Sequence, residues 1–269
     1  MNRGRLIGFA GVVVVVATLC IAGCGVPKLV VGSGNVIEES RPVSSFSGVE
    51  LAGPGELLIQ QAQEESLRIE AEDNLIQYFT SEVVDGMLKI GLRGRVGMNT
   101  KQTMRFYVTA RDLDTIIVSS LATVTAPVLE TAQLTVRVGD GGRVKIETLM
   151  ADRLVVHVDG LGLLSIASGE VGEQDLTVLG GAYEAEGLQS ARASARLTGL
   201  GSATVRVSEH LQVDIEEGGT VRYVGNPVVE KEVGGSIFSN FASFMTCSTK
   251  DPVETEGNCI KNPSSSTAC

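Results

Sequence analysis

Tryptophan is absent from this chain of 269 residues, and the other rings are few: four tyrosines, seven phenylalanines and two histidines. Its five cysteines are Cys20, Cys24, Cys247, Cys259 and Cys269, so the stretch 25–246 contains none. Each scarcity excludes something. Large compact cores draw heavily on aromatic rings, whereas a thin two-layer or tubular core is filled by β-branched and other aliphatic residues, which are abundant here. Two isolated histidines, and cysteines without short spacings, leave no zinc site. The Gly-x-Ser-x-Gly elbow of α/β hydrolases is absent. Basic charge is scarce as well, with 22 Lys and Arg against 32 Asp and Glu. A chain of net charge −10 is a poor partner for nucleic acid or anionic lipid.

The N-terminus supplies an address. Arg3 and Arg5 precede an apolar run over positions 6–22, the layout of a secretory signal. The run ends in Ile21-Ala22-Gly23-Cys24, which resembles the lipobox of bacterial lipoproteins. That resemblance implies cleavage behind Gly23 and a diacylglyceryl thioether on Cys24, the new N-terminus. Two or three acyl chains would then make the anchor essentially permanent. Gly25, in place of aspartate after the cysteine, favours the outer over the inner membrane in a Gram-negative cell. An uncleaved spanning helix is the alternative, since about 17 residues is the lower limit of a span; Gly8, Gly11 and Thr18 weaken it. Without positions 1–23 the body loses only Arg3 and Arg5 among its charges, and its net charge becomes −12.

From about position 115 the chain repeats. Gly142, Gly162, Gly181, Gly201 and Gly219 recur at a nearly constant interval. Between them lie short runs that alternate at period two, which puts Leu154, Val156 and Val158 on one face and Val155 and His157 on the other. Leu134, Val136 and Val138 repeat the pattern, as do Leu211, Val213 and Ile215. A period of about 20 residues with glycine at the corners predicts a solenoid: a single-stranded right-handed parallel β-helix, one coil per repeat.

The stretch 35–110 is less regular. Two strands flank Gly53-Pro54-Gly55, a third covers Leu67 to Ala71, and Asp85-Gly86 predicts a hairpin turn. Asn74 is positioned to cap a helical turn that carries Leu75, Ile76 and Phe79. Near the end, Ile237, Phe238, Phe241, Phe244 and Met245 fall at helical spacing and predict a short helix covering the last coil. The Ser/Thr/Pro-rich tail beyond it cannot build a core. Outside the cytoplasm it can carry one disulfide, for which Cys247 and Cys259 are the nearer pair. The expected organisation is therefore a signal at 1–23, an anchor linker at 24–33, a β-helical domain at 34–237, and a cap and tail at 238–269.

The body resembles the head GIN domain family of putative auto-transporter adhesins. The resemblance rests on Gly34-Asn35, the run Arg41-Pro-Val-Ser-Ser-Phe46-Ser-Gly-Val-Glu-Leu51, Gly53-Pro-Gly55 and Asp73-Asn-Leu-Ile76. It continues through Asp85-Gly-Met-Leu-Lys-Ile90 and Val221-Arg-Tyr-Val-Gly-Asn-Pro227, covering about positions 34–237. It implies a secreted or lipid-anchored bacterial β-helix and carries over no catalytic residue.

Polar residues with chemical potential read as surface or corner positions. His157 and His210 sit on the wet side of strands. Asp140, Asp159 and Asp175 read as corner residues that tolerate a left-handed backbone, because the nonapeptide repeat of calcium-binding β-rolls is missing. Asp214, Glu216, Glu217, Glu230 and Glu232 form an acidic stretch, a solvated face or a site for a basic partner. The expectation is a lipid-anchored envelope protein with a binding or adhesion-like module. It has no catalysis, cofactor, metal or nucleic-acid partner, and its ligand is an unidentified envelope or extracellular molecule. Two alternatives are a carbohydrate-active β-helix enzyme, which needs paired carboxylates on adjacent coils, and a scaffold that stacks end to end.

Overall fold

The computed structural model describes residues 28–94, 96–233 and 236–239. Gly23, Cys24, Cys247 and Cys259 lie outside the described residues. The fold is all-β: among the described residues there is no α-helix, and one 3-10 turn spans Ile76–Tyr78. The first part comprises β1 (Lys28–Val31), β2 (Val36–Arg41), β3 (Gly48–Ala52), β4 (Gly55–Gln61), β5 (Ser66–Glu72), β6 (Phe79–Val84), β7 (Met87–Leu92), β8 (Val96–Asn99) and β9 (Arg105–Ala110). The second comprises β10 (Thr115–Val118), β11 (Ala122–Val138), β12 (Arg143–Thr198), β13 (Ser202–Glu216), β14 (Thr220–Val224), β15 (Val228–Val233) and β16 (Ser236–Ser239).

From β10 onward every pairing is parallel, and the register follows the glycine interval. Leu134, Val136 and Val138 of β11 pair with Leu154, Val156 and Val158 of β12, one repeat further along the chain. Later, Ala203 pairs with Val221 and Val221 with Ile237. All six residues of the first set are buried, while Val155 and His157 are half-buried on the outer side, as the alternation requires. Coil length is held by close backbone approach at the corners. A Cβ on Gly162 would stand 2.7 Å from the Val138 carbonyl oxygen, and one on Gly181 would run into that of Gly162. Only glycine lets successive turns stack this tightly.

The expectation of a parallel β-helix over 34–237 is corrected before β10: the 14-stranded sheet is mixed. β2 and β9 each pair antiparallel with β5, and β6 pairs antiparallel with β7. The reversal comes from turns. Asp85 and Gly86, at φ 51° and 76°, close the predicted hairpin between β6 and β7. Gly53-Pro54-Gly55, by contrast, is a corner: β3 pairs with β7 and β10, whereas β4 pairs with β9 and β11.

The helical turn expected after Asn74 is present as the 3-10 turn, but its cap and the C-terminal helix are not as expected. Ser236–Ser239 is a strand paired with β14, because the open edge of the last ladder offers backbone partners that a helix start would forgo; Phe241, Phe244 and Met245 lie outside the described residues. The 3-10 turn begins after Leu75 without a side-chain cap. Asn74 instead donates from Nδ2 to the Val31 carbonyl at 2.8 Å and accepts from the Ser33 amide at 3.0 Å. Carbonyls at the turn are covered by Arg41, whose guanidinium donates to the Phe79 and Ile76 oxygens at 2.8 and 3.2 Å.

Val156→Asp is expected to destabilise the body by about 3–5 kcal/mol, since a charge there has no partner. Asp214→Lys on the outer side should cost under about 1 kcal/mol. Denaturant melting of the two variants checks the face assignment; equal shifts would contradict it.

Candidate functional site

With the aliphatic files turned inward, the chemistry of the protein lies on its outer walls. One wall presents Arg137 beside His157, and further along Arg196 beside Asp214 and Gln212 beside Glu230. Its charges are cross-linked between coils. Arg196 Nε donates to Asp214 Oδ2 at 3.1 Å, and Arg153 reaches Asp175 at 3.2 Å and Glu173 at 3.7 Å. His210 Nε2 lies 3.8 Å from Glu230. Such exposed pairs are worth about 0–1 kcal/mol each and act more through placement than through energy. A shallow depression of about 450 Å³ is lined by Arg196, Gln212, Asp214, Glu230 and Lys231.

A second wall carries a tighter ladder. Arg105 donates to Glu56 at 3.1 Å and to Glu70 at 3.0 Å. These hydrogen bonds, that of Glu56 foremost, hold its guanidinium above the usual arginine range. The Tyr107 hydroxyl donates to Glu70 at 3.1 Å, and the Arg68 guanidinium sits 3.8 Å above the Tyr107 ring.

Two polar assemblies escaped the sequence reading. Gln174 stands one repeat after Leu154, at a fully buried position. Its Oε1 accepts from the Tyr183 hydroxyl at 2.6 Å, and its Nε2 donates to Ser190 Oγ at 2.9 Å. Ser190 in turn donates to the Arg206 carbonyl at 2.8 Å. A register shift between Ala185 and Gln189 accompanies this turn of the coil. Burial pushes the Tyr183 phenol above its ordinary range, so it stays a donor at every physiological pH.

The other assembly ties the entry of the chain to the end of β5. The buried Glu72 carboxylate accepts from the Gly34 amide at 2.8 Å and from the Lys101 amide at 3.3 Å. Beside it Asp73 accepts from Asn35 Nδ2 at 3.0 Å and from Ser33 Oγ at 2.5 Å. The Asn35 bond, then the Ser33 bond, holds the Asp73 carboxyl below the usual range. Gly34-Asn35 and Asp73-Asn74, far apart in sequence, are thus the two halves of one clasp.

Of the sequence candidates, His157 and His210 lie outside the core as expected. Asp140 adopts φ 50°, but Asp159 and Asp175 do not take positive φ; Asp175 is a strand residue paired with Arg153. Glu217, not singled out as a corner, takes φ 65°. Within the acidic stretch, Asp214 pairs with Arg196 and has Glu232 as its register partner, while Glu230 lies 3.8 Å from His210 Nε2. Among the described residues no three His, Cys, Asp or Glu side chains converge as metal ligands.

The second part of this all-β chain is a set of parallel strands in repeat register, with charge pairs on their outer faces. The chain belongs to the family described as putative auto-transporter adhesin, head GIN domain, which matches residues 45–227. Its fold is similar to that of a putative adhesin from Bacteroides fragilis, with a TM-score of 0.71 at 21% identity, over 78% of this chain and 95% of that one. A putative adhesin from Parabacteroides merdae gives 0.65 at 19% identity, over 79% and 99%. A protein from Parabacteroides distasonis described as a putative lipid binding protein gives 0.64 at 18% identity, again over 79% and 99%. No curated protein matches the chain.

Tyr183→Phe is expected to cost about 1–3 kcal/mol by orphaning Gln174 Oε1. Adding Gln174→Leu should recover much of it, a coupling that a double-mutant melting cycle reads directly. Asp73 has a lowered pKa in the folded protein, so its contribution is present above the unfolded value of about 3.9 and lost as pH falls through the folded value. Amide exchange at Ser33 to Asn35 should therefore accelerate below about pH 4 in the wild type, and the step should vanish in Asp73→Asn.

Proposed function

We propose that this protein is a bacterial lipoprotein, held in the envelope through Cys24 after cleavage behind Gly23, whose body is a non-catalytic binding or adhesion-like module. Within the boundaries 34–237, the part from β10 onward is a right-handed parallel β-helix with one coil per glycine repeat, built on the mixed-pairing strands that precede it. The observation that carries the module reading is the coil-to-coil register. One full repeat separates Leu134 from its partner Leu154, so outward side chains stand in files along a rigid wall. Such files match an extended partner better than a small substrate. The carboxylates of that wall nearest the coil-to-coil contacts, Asp175 and Asp214, are each paired with an arginine, which suits recognition more than acid-base chemistry. Family membership and the adhesin descriptions of its structural neighbours support an envelope role. Residues 238–269 form a cap and tail, with Cys247 bonded to Cys259. The outer membrane is the favoured site of a Gram-negative cell.

Metabolic labelling with an alkynyl palmitate tests the anchor. The wild type should be labelled, and Cys24→Ser should stay an unlabelled precursor; equal labelling of both would refute the lipoprotein reading. Mass spectrometry of the unreduced protein should show the Cys247 to Cys259 link.

A further inference from the structure

One corner of the body turns large apolar side chains into water. Leu121, Leu161 and Leu200 are 78%, 85% and 88% exposed, and Leu179 is 51% exposed. A single exposed leucine needs no explanation. Three of these recur at one place in the repeat: Leu121 precedes Ala122 at the start of β11, Leu161 precedes Gly162, and Leu200 precedes Gly201, while Leu179 stands two residues before Gly181. Each step from one to the next passes over two glycine repeats, and so over two coils. In the coil after Leu121 the corner is glycine: Leu121 Cδ2 lies 2.9 Å from where a Cβ of Gly141 would stand. At about 4.8 Å per coil, the leucines protrude about 10 Å apart along a straight edge.

Isolated apolar knobs of this kind can sink into the interfacial zone of a bilayer. Neighbouring corner residues are acidic, among them Asp140, Asp159 and Glu217. Two copies joined along this edge would bring like charges together, and anionic headgroups would be repelled. Contacts lead from this corner towards the strand that precedes β8. Gly142 stacks near the Ser120 carbonyl, Ser120 Oγ donates to the Gly53 carbonyl at 2.8 Å, and Gly53 packs near Leu92. Leu92 ends β7, and the next strand, β8, pairs with β1. Leu29 of β1 is itself 67% exposed, and the stretch of sequence before Lys28 includes the apolar run and Cys24.

We propose that the ridge of Leu121, Leu161, Leu179 and Leu200 rests on an electrically neutral lipid surface, so that the body lies along the membrane. This deepens the lipoprotein reading and rests on it: the tether keeps the local lipid concentration high, and a weak ridge contact then suffices.

The chain has no tryptophan, so Leu161→Trp and Leu200→Trp each introduce one reporter, and Gln212→Trp places a control on the polar wall. The full chain is reconstituted into phosphatidylcholine vesicles with brominated acyl chains. Emission from positions 161 and 200 should move to the blue and fall at least twofold, while position 212 is unaffected. Unquenched ridge reporters on vesicle-bound protein overturn the proposal. Blue-shifted but unquenched reporters, together with cross-linked dimers, overturn it in favour of a second copy. Cys24→Ser separates the two readings. Were the wild type to carry no lipid, the anchor reading would fail, and quenching by added vesicles would decide the ridge by itself.

Discussion

Everything in this body depends on one main chain lying directly on the next. Parallel ladders satisfy the backbone groups of each wall only if successive coils have matching lengths and meet closely at the corners. The carbonyls of Val138 and Gly162 occupy the space that side chains at 162 and 181 would need, so the corner glycines are a steric condition of the register. Once the register is set, period-two alternation sends one file of side chains inward at every coil. The interior then becomes a stack of aliphatic layers, where a large group in one layer requires small ones beside it. Tyr183, fully buried, has Ala203 as its register partner and Ala185 and Ala193 among the buried residues that follow it.

The same constraint explains why the two halves differ. Coils can stack only on an existing coil, and the first needs something other than a coil beneath it. Here β5 and β6 run antiparallel to their neighbours, while the 3-10 turn closed by Arg41 and the clasp of Glu72 and Asp73 fix the chain where it enters. Gly34, Asn35, Arg41, Asp73 and Asn74 gather in this region, which reads as the foundation of the stack.

What could be seen in the sequence was whatever repeats. Glycine spacing and the alternation of Leu154, Val156 and Val158 carry the all-β body and its inner and outer faces. The rest depends on contacts between distant segments. Gln174 looks like any polar strand residue until the coil-to-coil register puts it inside with Tyr183 and Ser190. Asn74 has the right chemistry for a helix cap, but its amide is already engaged with Val31 and Ser33. Ile237 and Phe238 fit a helix as well as a strand over so short a run, and the free edge of β14 decides between them. On the outer walls, charge pairs such as Arg153 with Asp175 join residues a full coil apart, a distance at which no local motif forms.

A stack of near-identical layers has a particular weakness, because sliding the chain by one whole coil exchanges aliphatic files for aliphatic files at little cost. Gln174 breaks that degeneracy. Displaced by one coil, its amide would lose both the Tyr183 hydroxyl and the Ser190 Oγ and lie bare among alanines and leucines. The buried network therefore acts as an index mark on an otherwise repetitive thread, distinguishing the one alignment that closes every hydrogen bond from the near misses beside it.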